Sequence, residues 1–222
     1  MKKLIIFGTA SMAQQVYATF STEDPHEIVA FTVHNKYLNK KKLFNLPLVP
    51  FERIEKTHPP EEFALFVAIG YKRVNKARAE VYNECKAKGY ELISYVSSTA
   101  YSCGDFELGD NSIIYGGSGI GPFAKIGNDC YIGGAMVGHN SIIGDHCFVS
   151  GSAHISGNVT LGEYCFVGAN STISDGICVA PNCVIGAGAI ILKDTKQGGV
   201  YVSQNTKIAP IKSHDPELKF FR

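Results

Sequence analysis

The sequence predicts a small parallel α/β sheet followed by an all-β parallel β-helix of about five coils. Two observations carry that expectation. Aliphatic residues recur every six positions from Leu108 to Ile191, with a single step of five, and before about residue 98 strand-length apolar runs alternate with helical ones. Strands alternating with helices build a parallel sheet. A fixed period of six is the signature of a stacked β-helix.

The first domain is expected over residues 1–98. Leu4-Ile5-Ile6-Phe7 reads as a strand ending at Gly8, and Ala10 to Phe20 as a helix. Ile28 to Val33 is a second strand, and Phe63 to Ile69 a third that ends at Gly70. The polar, proline-punctuated stretch from Asn35 to Pro60 reads as mostly loop. Val74 to Lys88 is rich in Ala, Arg, Glu and Lys and stops at Gly89, a helix with its terminator. Leu92 to Val96 reads as a fourth strand. Ligands of such sheets bind beyond the carboxyl ends of the strands. The turn from Gly8 to Met12 and the Gly70-Tyr71-Lys72 turn lie there. A strand-glycine-helix turn either cradles a phosphate with its N–H groups or is a plain structural connection. No GxGxxG is present, and His34, not an acidic residue, closes the second strand.

The second domain is expected over residues 99–195. The aliphatic positions are Leu108, Ile114, Ile120, Ile126 and Ile132, then, after the step of five, Val137, Ile143, Val149, Ile155, Leu161, Val167, Ile173, Val179, Ile185 and Ile191. The residue two before is Ala, Ser or Cys at twelve of these fifteen positions, which predicts a narrow interior. Glycine is frequent one after, which is read as a corner needing a backbone shape other residues resist. Three hexads close a coil, so five coils stacked at the strand spacing give a prism on the order of 24 Å tall. Residues 196–222 leave the repeat and read as a C-terminal cap, with a short strand at Tyr201-Val202, a break at Pro210 and Phe220-Phe221 near the end.

Composition bounds the function. The 222 residues carry a net charge of +1, which offers no case for nucleic acid or an acidic membrane surface. No apolar run is long enough to span a bilayer, and the run from Leu4 to Phe7 reads as a buried strand instead of a leader. Of seven cysteines, Cys130, Cys147, Cys165 and Cys183 occupy the small inward position and read as packing residues. No disulfide or metal cluster is expected, and a reducing cytoplasm is. His139, His146 and His154 are spaced by seven and eight, which gives no metal-ligand pattern. His139 stands two after Val137, just past the short step, and is expected on a flat face where that break re-aims it. Gly157 lies one coil further on and should stack against it. A base beside an exposed backbone N–H is what acyl transfer requires; a surface histidine without a role is the alternative.

The stretch from Val137 to Asp145, with Ser156-Gly157-Asn158-Val159 and Cys165 to Ser171, resembles the left-handed β-helix acyltransferases that carry an N-terminal Rossmann-like domain. These include sialic acid O-acetyltransferases and N-acetyltransferases acting on nucleotide-linked 4-amino-4,6-dideoxy sugars. The resemblance implies a left-handed prism, acetyl-CoA as co-substrate, no metal, and a homotrimer with active sites between subunits. It places the general base on His139 and acetyl-CoA contacts on Gly157, Ala169 and Ala187. The nucleotide-sugar falls on Gly8, Ala10, Ser11 and Met12, with Gly70 nearby and His34 at the end of the second strand. Where the family has an acidic residue after the histidine, the catalytic set here has Asn140, which implies that His139 is a weaker base or borrows a partner elsewhere. A second histidine that touches acetyl-CoA in some members falls on Phe148. The implied function is N-acetylation of a nucleotide-linked amino sugar. Sialic acid O-acetylation, metal-dependent hydration of carbon dioxide and a non-catalytic assembly platform are the alternatives.

Overall fold

The computed structural model describes residues 1–207 and Pro210; of the expected cap over residues 196–222, residues 208, 209 and 211–222 lie outside the described residues. The N-terminal elements are β1 (Lys3–Phe7), α1 (Ser11–Glu23), β2 (Ile28–Val33), β3 (Lys42–Leu43), β4 (Leu46–Pro50), β5 (Phe63–Val67), α2 (Lys76–Ala87) and β6 (Glu91–Leu92). They form one sheet in the order β3-β4-β2-β1-β5-β6, parallel throughout except for the β3–β4 hairpin. Leu4, Ile5, Ile6 and Phe7 are all buried because helices or the second domain cover both faces of this sheet. α1 presents Ala13, Val16 and Phe20 to one face at helical spacing. Val81, Tyr82 and Cys85 of α2 cover the other. The chain runs from β1 outward to β2 and β4, then returns to β5 on the far side of β1. That reversal opens a crevice at the carboxyl ends of β1 and its neighbours.

Three N-terminal expectations are corrected. The stretch from Asn35 to Pro60 is not mostly loop. It holds 3₁₀ turns at Asn35–Tyr37 and Phe51–Lys56, and β4 pairs in parallel with β2 through Leu48 and Val49. Pro47 and Pro50 hid that strand, yet Pro47 faces only the two-residue β3, where its missing N–H costs little. Phe44 and Asn45, both at positive φ, close the hairpin. α2 begins at Lys76 and not at Val74, because Arg73, Val74 and Asn75 are left-handed. The expected fourth strand is split. Glu91–Leu92 completes the first sheet, whereas Tyr95–Val96 is the first rung of the prism.

The prism has three faces. The first runs from Tyr95–Val96 to Val200–Tyr201 in seven strands, the second from Tyr101–Ser102 to Ile190–Ile191 in six, and the third from Glu107–Leu108 to Cys178–Val179 in five. Every periodic aliphatic residue is the second residue of a strand and points inward, and all but Leu108 are buried. The small position holds the cysteines as expected. Their thiols also donate along the stack: Cys130 to Gly144 O at 3.2 Å, and Cys147 to Gly162 O at 3.1 Å. All seven cysteines are free.

Face and corner are exchanged relative to expectation. The aliphatic residues lie on the flat faces, and the residues after them make the corners. Outside the step of five, the left-handed residue of a corner is three after the aliphatic one, and five of these are asparagines: Asn111, Asn140, Asn158, Asn170 and Asn182. Asparagine tolerates this conformation better than most side chains. The glycine immediately after the aliphatic residue serves close approach between coils. A Cβ on Gly138 would lie 2.5 Å from Gly157 N, and one on Gly168 2.5 Å from Ala187 N. The step of five is taken up by Gly133-Gly134, with Gly134 at φ 75°. It leaves the ladder intact, since Met136–Val137 pairs with Gly119–Ile120 on one side and His154–Ile155 on the other.

The first face carries the N-terminal domain. Tyr95 and Ile113 share a core with α1 and the sheet, and Tyr71 stands over Phe148 and Phe166 at 5.0 and 4.9 Å between ring centroids. Glu23, the last residue of α1, accepts hydrogen bonds from Tyr95 Oη (2.5 Å), Ser97 Oγ (3.0 Å) and both N and Oγ of Ser98 (3.1 Å each). These donors, Tyr95 foremost, hold its carboxyl down at about 2. A depressed acid stabilises the fold above its unfolded value and loses that contribution as the pH falls toward the folded one. The stability Glu23 supplies is therefore expected to fade between about pH 4.5 and pH 2. Acid melts of the parent and Glu23→Gln should converge over that window; curves that stay parallel would remove Glu23 from the seam.

Candidate active site

The nucleotide-sugar residues and the proposed base fall in two separate regions of the chain. The first is a cleft of about 1040 Å³ at the carboxyl ends of β1, β2 and β5. Gly8, Ala10, Ser11, Met12, His34 and Gly70 all line it. β1 and β5 meet there so closely that a Cβ on Gly8 (φ 131°) would sit 2.7 Å from Ala68 O. α1 starts at the cleft with Ala10 at its N-cap, which offers no side-chain hydrogen bond, and no acidic residue stands in its first turn. Its leading N–H groups are thus left for a ligand, the arrangement that receives phosphate. Lys36, Lys72 and Arg73 line the same cleft, Arg73 in an ion pair with Glu80.

His34 is fixed. Phe7 and Phe51 touch its ring edge-on, each at 5.4 Å between centroids, and its Nε2 lies 2.6 Å from Glu84 Oε2. Tyr71 lines the cleft, as the place of the Gly70-Tyr71-Lys72 turn implies, and Glu84 belongs to it without having been expected there. A signal existed for Glu84: it follows Glu80 by one helical turn, so both carboxylates share one face of α2.

The second region is the corner between the second and third prism faces. His139 is exposed in this corner and not on a flat face. Its imidazole packs directly over Gly157 of the next coil: a Cβ there would lie 2.5 Å from His139 Nε2. Asn140, left-handed at φ 54°, brings its Nδ2 to 3.2 Å from His139 Nδ1. The N–H groups of His139 and Gly157 donate to no acceptor among the described residues. Ala169 and Ala187 share that property but occupy the corner between the first and second faces, so one chain does not unite them with His139.

Phe148 is corrected as an acetyl-CoA contact. It is 5% exposed, stacked on Tyr131 at 4.1 Å and covered by Tyr71 of the N-terminal domain. His146 is buried against α2, with Nδ1 2.9 Å from Asp129 Oδ2, and His154 projects from the second face. The three prism histidines therefore do not converge. Among the described residues no helix is long and apolar enough to cross a membrane.

The bacterial transferase hexapeptide family (six repeats) matches residues 123–157, 140–175 and 158–193. No curated protein sequence matches the chain. Among solved structures, PerB from Caulobacter crescentus in complex with CoA and GDP-perosamine superposes with a TM-score of 0.80 at 21% identity, covering 90% of this chain and 93% of that one. The acetyltransferase domain of PglB from Neisseria gonorrhoeae gives 0.77 at 20%, covering 90% and 96%. WeeI from Acinetobacter baumannii gives 0.76 at 17%, again covering 90% and 96%. Likeness at this identity establishes the fold: a small α/β sheet domain on a left-handed parallel β-helix.

Proposed function

We propose that this chain, whose prism is built from the bacterial transferase hexapeptide repeat, is an acetyl-CoA-dependent N-acetyltransferase acting on a nucleotide-linked 4-amino-4,6-dideoxy sugar. The observation that carries the proposal is the His139 imidazole seated over Gly157, on an edge of rigid backbone with free N–H groups. That edge offers a base next to an oxyanion donor, and the prism holds both in place. The likeness to PerB, which binds CoA and GDP-perosamine, favours the same pair of substrates here.

In this mechanism the sugar amine attacks the thioester carbonyl and forms the C–N bond. His139 Nε2 takes the amine proton, the Gly157 N–H holds the oxyanion, and collapse breaks the C–S bond to release CoA. Nε2 must be unprotonated for this. Turning the Asn140 amide by half a rotation sets its Oδ1 against Nδ1–H and fixes that tautomer.

The working unit is a homotrimer with the site between subunits. The first face carries the chain's own cleft-bearing domain, whereas His139 stands at the corner opposite that face. A sugar held in one cleft is thus served by His139 of a neighbour. Ala169 and Ala187 on a neighbouring edge are suited to hold the CoA arm through their free N–H groups.

The test is thiol release from acetyl-CoA with UDP-, dTDP- and GDP-linked 4-amino-4,6-dideoxy sugars, with free sialic acid alongside. CoA should appear with one amino sugar only. Mixing and reassembling His139→Ala with a cleft variant such as Gly8→Val should regain activity that neither has alone. Release with sialic acid alone would make the protein an O-acetyltransferase, and no recovery on mixing would place the cleft and His139 in a single chain's site.

A further inference from the structure

We infer that Glu84 is the acceptor for the ribose hydroxyls of the nucleotide, and that it makes the chain selective for a ribonucleoside diphosphate sugar over its 2′-deoxy counterpart. The assignment rests on the cleft being the nucleotide-sugar site. In open parallel sheets the diphosphate lies on the first strand-helix turn, and the nucleoside extends toward the end of the adjacent second strand, where a carboxylate meets the ribose. Here the turn is Gly8 to Met12 and the adjacent strand is β2. β2 ends in Val33-His34, so that carboxylate is missing from its usual place in the sequence.

Space supplies it from elsewhere. Glu84 reaches the end of β2 from α2 and lines the cleft beside His34. Its Oε2 is 2.6 Å from His34 Nε2, and its Oε1 has no hydrogen-bond partner among the described residues. His34 is wedged by Phe7 and Phe51, so the pair is set before a ligand arrives. Glu80, one turn earlier, is paired through one oxygen with Arg73, whereas Glu84 is the carboxylate that stands against His34 at the end of β2. An ionised carboxylate only accepts hydrogen bonds, and a ribose diol offers two donors to it. A 2′-deoxyribose offers one. Losing one hydrogen bond to a charged acceptor should weaken binding by about 10- to 100-fold.

The experiment is calorimetric titration of the full chain with UDP and GDP and with dUDP and dGDP, for the parent and for Glu84→Gln. Glu84 is half-exposed on a helix surface, so the variant should fold, and its circular dichroism checks that it has. The parent should bind one ribonucleotide at least about 10-fold more tightly than its deoxy form, and Glu84→Gln should bring that ratio close to one. A parent that binds both forms equally, or a variant that keeps the ratio, would overturn the role of Glu84 while leaving the cleft as a nucleotide site. If no nucleotide binds while CoA release from acetyl-CoA still depends on His139, the cleft assignment fails and Glu84 with it.

Discussion

Gly157→Ala is expected to leave the protein folded and to lower kcat about 100-fold, approaching the loss of ~10²–10⁴ expected for His139→Ala. A methyl group at position 157 would stand 2.5 Å from His139 Nε2 and 2.7 Å from Cε1. The imidazole belongs to an exposed side chain, so it yields by rotating away, and the prism is not strained. A base displaced by about 1 Å no longer meets the proton it must take, and displacements of that size can cost about two orders of magnitude. Gly138 provides the contrast. A Cβ there meets backbone, with Ser156 C at 2.4 Å and Gly157 N at 2.5 Å, so Gly138→Ala should lower the melting temperature instead. Steady-state kinetics and thermal melts of the three variants separate these effects. Gly157→Ala retaining more than about a third of parental kcat would sink the placement of the reacting atoms over this glycine.

The prism was legible in the sequence because every hexad restates one constraint. Each of the fifteen periodic aliphatic residues became the second residue of a strand, and the small position two before it accepted the cysteines. The period fixes which residues are equivalent but not which of them turn the corner, so His139 was expected on a face. A signal for the corner was available in the asparagines three after the aliphatic position, all at positive φ. The cleft was legible as glycines after strands, since close approach of β1 and β5 demands Gly8. What could not be read was pairing between distant segments. His34 meets Glu84 across 50 residues, and Tyr71 closes over Phe148 only once one domain has docked on the other. Phe148 was assigned by its alignment with a histidine of related enzymes, and docking buries it.

Asp129→Ala is expected to destabilise the protein by ~3–5 kcal/mol, because it strands a buried cation in the seam between the domains. Asp129 is fully buried, and its carboxylate meets Arg78 Nε at 3.1 Å, Asn111 Nδ2 at 2.6 Å and His146 Nδ1 at 2.9 Å. Arg78 comes from α2 and is itself buried; its remaining partners are the carbonyls of Asp129 (2.7 Å) and Cys147 (3.2 Å). Its Nη1 already has no partner among the described residues, so the guanidinium has no reserve of hydrogen bonds with which to absorb the loss. Asn75 and Tyr82 tie the same helix to Cys165 O and Asp110, which keeps α2 in contact and holds the stranded charge in place. For a chain of this size the loss corresponds to a melting temperature lower by about 6–20 °C. Removing the cation as well, in Arg78→Met with Asp129→Ala, should recover part of it, since an apolar pair avoids the desolvation of an unmatched charge. Hydrogen exchange should show the weakening first in α2 and the prism corner at residues 127–130. An unchanged melting temperature in the single variant would mean that the two domains are held by the apolar contacts of the first face alone. The seam also fixes where the cleft stands relative to the prism, so the single variant should raise KM for the sugar nucleotide more than KM for acetyl-CoA, whose expected contacts all lie on the prism.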